Sequence, residues 1–331
     1  MSDYKPPYII TPTMIGLIEQ IGEALGVFAR SADADDLRLR RIHRIQTIRG
    51  SLAIEGNTLS EEQISTILDG KPVIAPPREV QEVRNAIKAY DEFQSWNPAL
   101  QRDLLKAHET LMVGLLDAPG HYRSGGVGVG GPGGLVHVAP PPGRVPELMG
   151  NLFDWLENTP EHPLIKSCVF HYEFEFIHPF EDGNGRMGRL WQTLILSRWN
   201  PLFARIPVEN MVYASQQDYY AAIAESTKTA ESTPFIEFML RVIEGALTKN
   251  APTNAPTNAP ANAPVNLGEL KTPEAVLACV RENSGVTRQE MARRIGKDVR
   301  TIARAIKKLQ DAGRLERQGA NKDGCWEIPG E

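Results

Sequence analysis

The stretch His178-Pro179-Phe180-Glu181-Asp182-Gly183-Asn184-Gly185-Arg186-Met187-Gly188-Arg189 gathers an imidazole, a carboxylate, a glycine-rich turn and two arginines into one short segment. Residues 163–177 before it are expected to form a buried helix. Pro163 stands at its start, and Val169, Phe170, Phe174 and Ile177 recur at three- and four-residue spacing. Pro179 disfavours helical geometry at His178, so the helix ends there and leaves the imidazole at a loop. Two glycines and an asparagine favour turns and positive φ. Met187, Leu190, Trp191, Leu194, Ile195 and Leu196 then resume a helical pattern, so a second helix is expected to start near Arg186. Its unpaired N–H groups and the loop amides form an anion site. Arg186 and Arg189, three apart, share a face and can both reach a polyphosphate.

The chemistry follows from the residue types. A histidine suits taking a proton near neutral pH. Asp182 is a hard-oxygen ligand placed to hold Mg²⁺ against phosphate oxygens. Loop amides and arginines neutralise charge on a transferred and a leaving group. Each piece has a plainer reading: Asp-Gly and Asn-Gly are common hairpin turns, and a lone histidine on an apolar helix is usually structural. The helical flanks weigh against the hairpin, and the pieces occur together.

The run resembles the Fic-domain signature, His-Pro-Phe-x-Asp/Glu-Gly-Asn-Gly-Arg-x-x-Arg, at every specified position. The resemblance implies a mainly α fold that transfers AMP from ATP to a hydroxyl side chain of a target protein. By it, His178 deprotonates the target Ser, Thr or Tyr and Asp182 carries Mg²⁺. Gly183, Asn184, Gly185 and Arg186 cradle the α- and β-phosphates, Arg189 holds the γ-phosphate, and Phe180 anchors the loop. Pyrophosphate leaves.

Upstream, Ser51-Leu52-Ala53-Ile54-Glu55-Gly56-Asn57 is similar to the Ser/Thr-x-x-x-Glu-Gly/Asn element of self-inhibited Fic proteins. The resemblance implies that Glu55, with Ser51 beside it, pairs with Arg189 and forces ATP into an unproductive pose. In related proteins the same Glu orients a water that removes AMP. Read by itself, the segment is a helix over about 37–56, with Ile42, Ile45, Ile48 and Leu52 on one face and Gly56 as its stop. Ser60 and Gln63 form an expected capping box. Two β-type runs, Val127–Val129 and Leu135–Val138, flank a glycine-rich tip. They resemble the Fic flap, with Val127, Val129, Val136 and Val138 as docking positions for an extended target segment; a hairpin with no docking role is the alternative. Tyr219 and Tyr220 sit where similar proteins surround the base, although a helix interface explains them equally well. Ser226 and Thr227 stand where several relatives have Asn.

The chain has 331 residues, 41% of them hydrophobic, and a net charge of −5. That length admits about two domains. No run of about 18 apolar residues exists, so no membrane span is expected. The start shows no basic patch followed by an apolar stretch, so no signal peptide is expected. Cys168, Cys279 and Cys325 lie far apart without metal-ligand spacing, which suits a reducing cytoplasm. Thr13–Ala29 reads as an amphipathic helix.

The expected organisation is a helical region over 1–110, a catalytic core over 111–248, a linker over 249–267 and a winged helix-turn-helix over 268–331. The linker repeats Asn-Ala-Pro every fourth residue from Asn250. It is expected to be a polyproline-like spacer reaching on the order of 50 Å. The tail reads as helices over 273–283, 286–296 and 298–312, then strands at 313–317 and 325–328. Residues 271–331 hold 13 Lys and Arg against 9 Asp and Glu, a net of +4, so the rest of the chain carries −9. This permits DNA contact through residues 268–331, with Arg300 and Arg304 foremost, and equally permits protein docking. Three functions compete: an AMP-transferring enzyme, an ATP-sensing DNA-binding regulator, and a related enzyme using another donor. The intact His178 favours an enzyme. The oligomeric state stays open, a homodimer included.

Overall fold

The computed structural model describes residues 4–30, 37–131, 134–249, 272–282, 286–311, 313–318 and 325–327. They belong to two compact units divided between Ala255 and Pro256. The Asn-Ala-Pro repeat over 250–266 lies outside the described residues.

The first unit is nearly all helix. Its elements are α1 (Pro12–Arg30), α2 (Leu37–Ile54), α3 (Glu61–Leu68), α4 (Pro77–Glu92), α5 (Gln101–Met112), the hairpin β1 (Gly128–Gly131) and β2 (Gly134–Val138), α6 (Val145–Asn158), α7 (Pro163–Ile177), α8 (Asn184–Trp199), α9 (Val208–Ala214), α10 (Gln216–Thr229) and α11 (Thr233–Lys249). The helix α7 is buried around its circumference, with α8, α6 and α11 packed on it. A helix apolar on all sides belongs inside, and burying each Phe, Leu or Ile there contributes about 1.5–3 kcal/mol. The polar residues His171, Glu173 and Glu175 are buried with it.

The helix α2 lies along α9. Gly50 permits this, because a Cβ there would meet Asn210 Cα at 2.6 Å. The helix stops at Ile54 rather than 56, so Glu55 is its C-cap residue. Gly56 follows at φ +91°. Asn57 N–H donates to Leu52 O at 3.1 Å and Gly56 N–H to Ala53 O at 3.0 Å. That double closure is a Schellman cap, which needs a left-handed residue where Gly56 stands. The Ser60–Gln63 capping box then opens α3.

The hairpin pairs Gly128 with Val138 and Val129 with His137, then shifts register and continues to Gly131 with Gly134. The strands run through the glycines expected to form a loose tip. Glycine removes side-chain clashes but keeps its N–H and C=O, so the ladder persists.

The second unit holds α12 (Thr272–Glu282), α13 (Arg288–Ile295), α14 (Val299–Asp311) and the antiparallel pair β3 (Glu316–Gln318) and β4 (Cys325–Glu327). Thr287 caps α13 and Gly296, at φ +70°, ends it. Met291, Ile302, Ile306, Leu309, Leu315 and Trp326 form part of its core. Arg300, Arg304, Lys307 and Lys308 are exposed on α14. No helix among the described residues is long and apolar enough to cross a membrane.

Candidate active site

The turn between α7 and α8 begins with a left-handed residue. His178 has φ +50° and ψ +61° as the C-cap of α7, a conformation uncommon for a residue with a Cβ. Arg123 holds it there. Its Nε donates to His178 O at 2.7 Å, and its Nη2 donates to Ile177 O at 3.2 Å and Pro140 O at 2.6 Å. Its Nη1 donates to Gly125 O at 2.9 Å. One buried guanidinium thus ties the His178 turn to both ends of the hairpin. Burial lowers its pKa, yet arginine stays charged at any physiological pH. The His178 Nδ1 lies 3.3 Å from Glu175 O. An N–H donated there leaves Nε2 as the nitrogen carrying the lone pair.

Phe180 is the loop's apolar anchor, as expected, and is fully buried. It stacks on His108 at 3.6 Å between ring centres. The His108 Nδ1 accepts from Gly120 N–H at 2.8 Å, so its Nε2–H donates to Asp182 O at 3.0 Å. Burial pushes the His108 pKa down to about 4, which keeps it neutral in this role.

Gly183 has φ +83°, and a Cβ there would stand 2.7 Å from Met112 Sδ. The second helix begins at Asn184, two residues before the expected start. The Asn184 side chain closes the turn itself, accepting from Phe180 N–H and donating to Phe180 O, both at 2.9 Å. It is buried and fully engaged. The expectation that Asn184 helps cradle phosphate therefore rests on its main-chain N–H. Met187 N–H is the first to bond back along the helix, to Gly183 O at 3.0 Å. The amides of Asn184, Gly185 and Arg186 therefore have no intrahelical acceptor and leave a helix end suited to an anion.

Two buried arginines follow. Arg186 Nη2 pairs with Asp182 Oδ1 at 3.0 Å and Nη1 with Glu82 Oε1 at 3.6 Å. Its Nε is buried with no hydrogen-bond partner among the described residues. Arg189 is 2% exposed, and its Nη2 pairs with Glu55 Oε1 at 2.7 Å. It also donates from Nη2 to Ser51 O at 2.9 Å and from Nε to Ser51 Oγ at 3.3 Å. Burial opposes its charge most strongly, but Glu55 together with Tyr219 and Glu175 outweighs that and holds its pKa above the ordinary arginine value. Gly185 makes room, because a Cβ there would collide with the Glu55 carboxylate.

Asp182 is 41% exposed. Its Oδ1 accepts from Gly183 N–H, and its Oδ2 is 3.4 Å from Arg78 Nη2. Glu175 is buried beneath the turn, and its Oε1 has no hydrogen-bond partner among the described residues. Burial raises its pKa to about 8 and brings that of His171 down to about 3. Both groups are thus mainly neutral near pH 7, and their 3.8 Å separation is a contact of neutral groups rather than an ion pair.

The tyrosine pair divides. Tyr219 is 1% exposed, and its hydroxyl meets His171 Nε2 at 3.1 Å. It fills a helix interface and has no surface to offer a base, which corrects its assignment as a nucleotide contact. Tyr220 is half-buried, and Glu55 and Arg189 both perturb its hydroxyl. In the hairpin, Val127 is half-buried and Val138 is exposed, while the Val129 and Val136 side chains lie outside the described residues. Sequence reasoning missed His108, Arg123, Glu82 and Glu175. The roles of His108, Arg123 and Glu82 depend on neighbours distant in the chain, Glu175 is marked out only by its burial, and none stands in a recognisable motif.

Residues 96–196 match the Fic/DOC family, and residues 270–316 match a winged helix-turn-helix DNA-binding family. The protein adenylyltransferase Fic of Nematostella vectensis is 31% identical over 213 residues, which cover 60% of this chain and 47% of that protein. The chain thus spans about half the length of the curated relatives it matches. Fic-1 of C. elegans (residues 134–508) shares the fold, with a TM-score of 0.57 at 24% identity over 72% of this chain and 70% of that one. The crystal structure of a Fic family protein from Desulfovibrio desulfuricans G20 is 43% identical, covers 99% of both chains and gives a TM-score of 0.74. With the signature residues assembled around one helix end suited to an anion, this chain belongs to the Fic family.

Proposed function

We propose that this chain transfers AMP from ATP to a hydroxyl side chain of a target protein and is restrained in cis by Glu55. The observation that carries the reading is the pairing of the buried Arg189 with the partly exposed Glu55 at 2.7 Å, set beside the open amides of α8 and the Arg186 Nε, which has no hydrogen-bond partner among the described residues. A triphosphate supplies acceptors for those donors and competes with Glu55 for Arg189. The target hydroxyl gives its proton to His178 Nε2. Its oxygen then bonds to the α-phosphorus, and the bond from that phosphorus to the bridging oxygen of pyrophosphate breaks. The hairpin edge pairs with an extended target segment through main-chain groups, and Tyr220, half-buried near Glu55 and Arg189, contacts the nucleoside.

Asp182 fits Mg²⁺. It offers an exposed carboxylate at the mouth of the cup, and Mg²⁺ commonly takes one or two carboxylates together with substrate phosphates. No cluster of three or more His, Cys, Asp or Glu among the described residues could hold a metal by itself. Bound there, Mg²⁺ would neutralise phosphate charge.

A label-transfer experiment tests the reading. Glu55→Gly protein incubated with ATP should transfer the α-label and not the γ-label, and His178→Ala should abolish transfer. Transfer of the γ-label would indicate kinase chemistry. Parallel incubations with other labelled nucleotides test the donor, and loss of label from modified target tests AMP removal. For the tail, the exposed Arg300, Arg304, Lys307 and Lys308 on α14 favour DNA contact as a second activity of the chain.

A further inference from the structure

In the resting chain, three acids hold the two arginines beside the α8 amides, a polar cup. Glu55 holds Arg189. Arg186, only 4% exposed, is shared between Asp182 at the mouth and Glu82 on α4. Glu82 is itself largely buried, with its side chain 13% exposed. Its Oε2 accepts from Asn57 Nδ2 at 2.9 Å, and its Oε1 is 3.7 Å from Arg78 Nε. Asn57 also donates to Glu79 O at 3.2 Å, and its N–H completes the cap that presents Glu55.

These contacts decide what Glu82 does when an anion arrives. Asp182 is exposed and suits a cation carried by the nucleotide. Glu82 has no such compensation, because it stands on another helix and its partners are Asn57, Arg78 and Arg186. If Arg186 turns towards phosphate, Asn57 and Arg78 keep Glu82 in place. A fixed negative charge then remains close to a polyanion in a partly desolvated site, where like charges repel strongly.

We infer that Glu82 is a second acidic restraint on the cup, one that lowers its affinity for polyphosphate nucleotides by holding Arg186 and opposing their charge. The inference rests on the nucleotide-binding reading above. Glu82 acts on a different arginine from Glu55, so its effect survives removal of Glu55. It is an affinity-setting residue, and the reaction chemistry stays with His178.

Calorimetric titration of the full chain with Mg·ATP, and separately with adenosine, tests this. Glu82→Gln keeps the size of the side chain and an oxygen for Asn57. It should tighten ATP about tenfold or more, in the wild type and in Glu55→Gly, and leave adenosine unchanged. Glu82→Ala, checked for a cooperative melt, should show the same pattern and serves should the Gln variant fail to fold. Unchanged or weaker ATP binding overturns the inference. Equal tightening of adenosine also overturns it, since that is what a merely structural role would give. If Glu55→Gly binds ATP and does not respond to Glu82→Gln, the inference alone falls. If no variant binds ATP, the nucleotide reading falls with it.

Discussion

The Nε of Arg123 donates to the main-chain oxygen of His178 at 2.7 Å, so the turn carrying the imidazole and the base of the hairpin share one cation. Arg123→Ala leaves several buried carbonyls without their donor. It should cost about 3 kcal/mol of stability in denaturant melts. In Glu55→Gly protein it should also reduce label transfer at least tenfold, since a misplaced base or flap has a large kinetic effect. Arg123→Lys, which cannot reach the same carbonyls with a planar fork, should recover little of either.

Gly56 occupies the left-handed position of the cap at φ +91°. Gly56→Ala should cost about 1–2 kcal/mol, whereas Gly56→Asn should cost less, because asparagine tolerates that region. Label transfer with wild-type Glu55 should rise in Gly56→Ala and stay near baseline in Gly56→Asn. Equal behaviour of the two would show that the cap does not position Glu55.

Glu175 gives a pH signature. Its pKa rises from 4.5 to about 8 on folding, so between those values the native state binds more protons than the unfolded chain. Stability therefore falls as pH rises through that window and levels off above about 8. Glu175→Gln should stabilise the fold at pH 8.5 by on the order of a few kcal/mol at most, seen as a raised melting temperature, and change it little near pH 4.5. On the acid side, His108 and His171 fall from 6.5 to about 4 and 3. Their stabilising contribution is present above pH 6.5 and is lost progressively as pH drops towards those values. Thermal melts between pH 3 and 9 check both limbs.

Gly50 lies against α9 where a Cβ would meet Asn210 Cα at 2.6 Å. Backbone cannot yield cheaply, so Gly50→Ala should cost about 1–3 kcal/mol. It should also move α2 outward, which weakens the Glu55–Arg189 pair and raises label transfer. A crystal structure of the variant would measure the displacement directly.

For the tail, double replacement of Arg300 and Arg304 by Ala should weaken duplex DNA binding by the full chain and flatten its salt dependence by about two units of slope. DNA affinity that does not change on this replacement would assign α14 to another partner.

Local rules made the architecture readable because they agreed. Pro179 stopped α7 where expected, and Ser60 with Gln63 capped α3. The Glu55 pattern also has a local reason. Gly or Asn follows the Glu because the cap needs a residue that accepts positive φ. Tertiary contacts overrode the expectations that failed. The Asn184 side chain is used on Phe180, a closure that no local rule announces. Tyr219 and Tyr220 are neighbours in sequence, yet they point to different environments on a helix, and only packing shows which is inside. Arg123 and His108 had no motif to betray them, since their partners lie 55 and 74 residues away.

The contacts from Arg189 to Ser51 O and Oγ do not require the Glu55 carboxylate. Under the proposed function, release is thus an exchange of anions at a guanidinium that stays seated, with no helix having to melt. Such an exchange saturates with ligand concentration, so the working fraction of the protein would follow the supply of triphosphate like a meter.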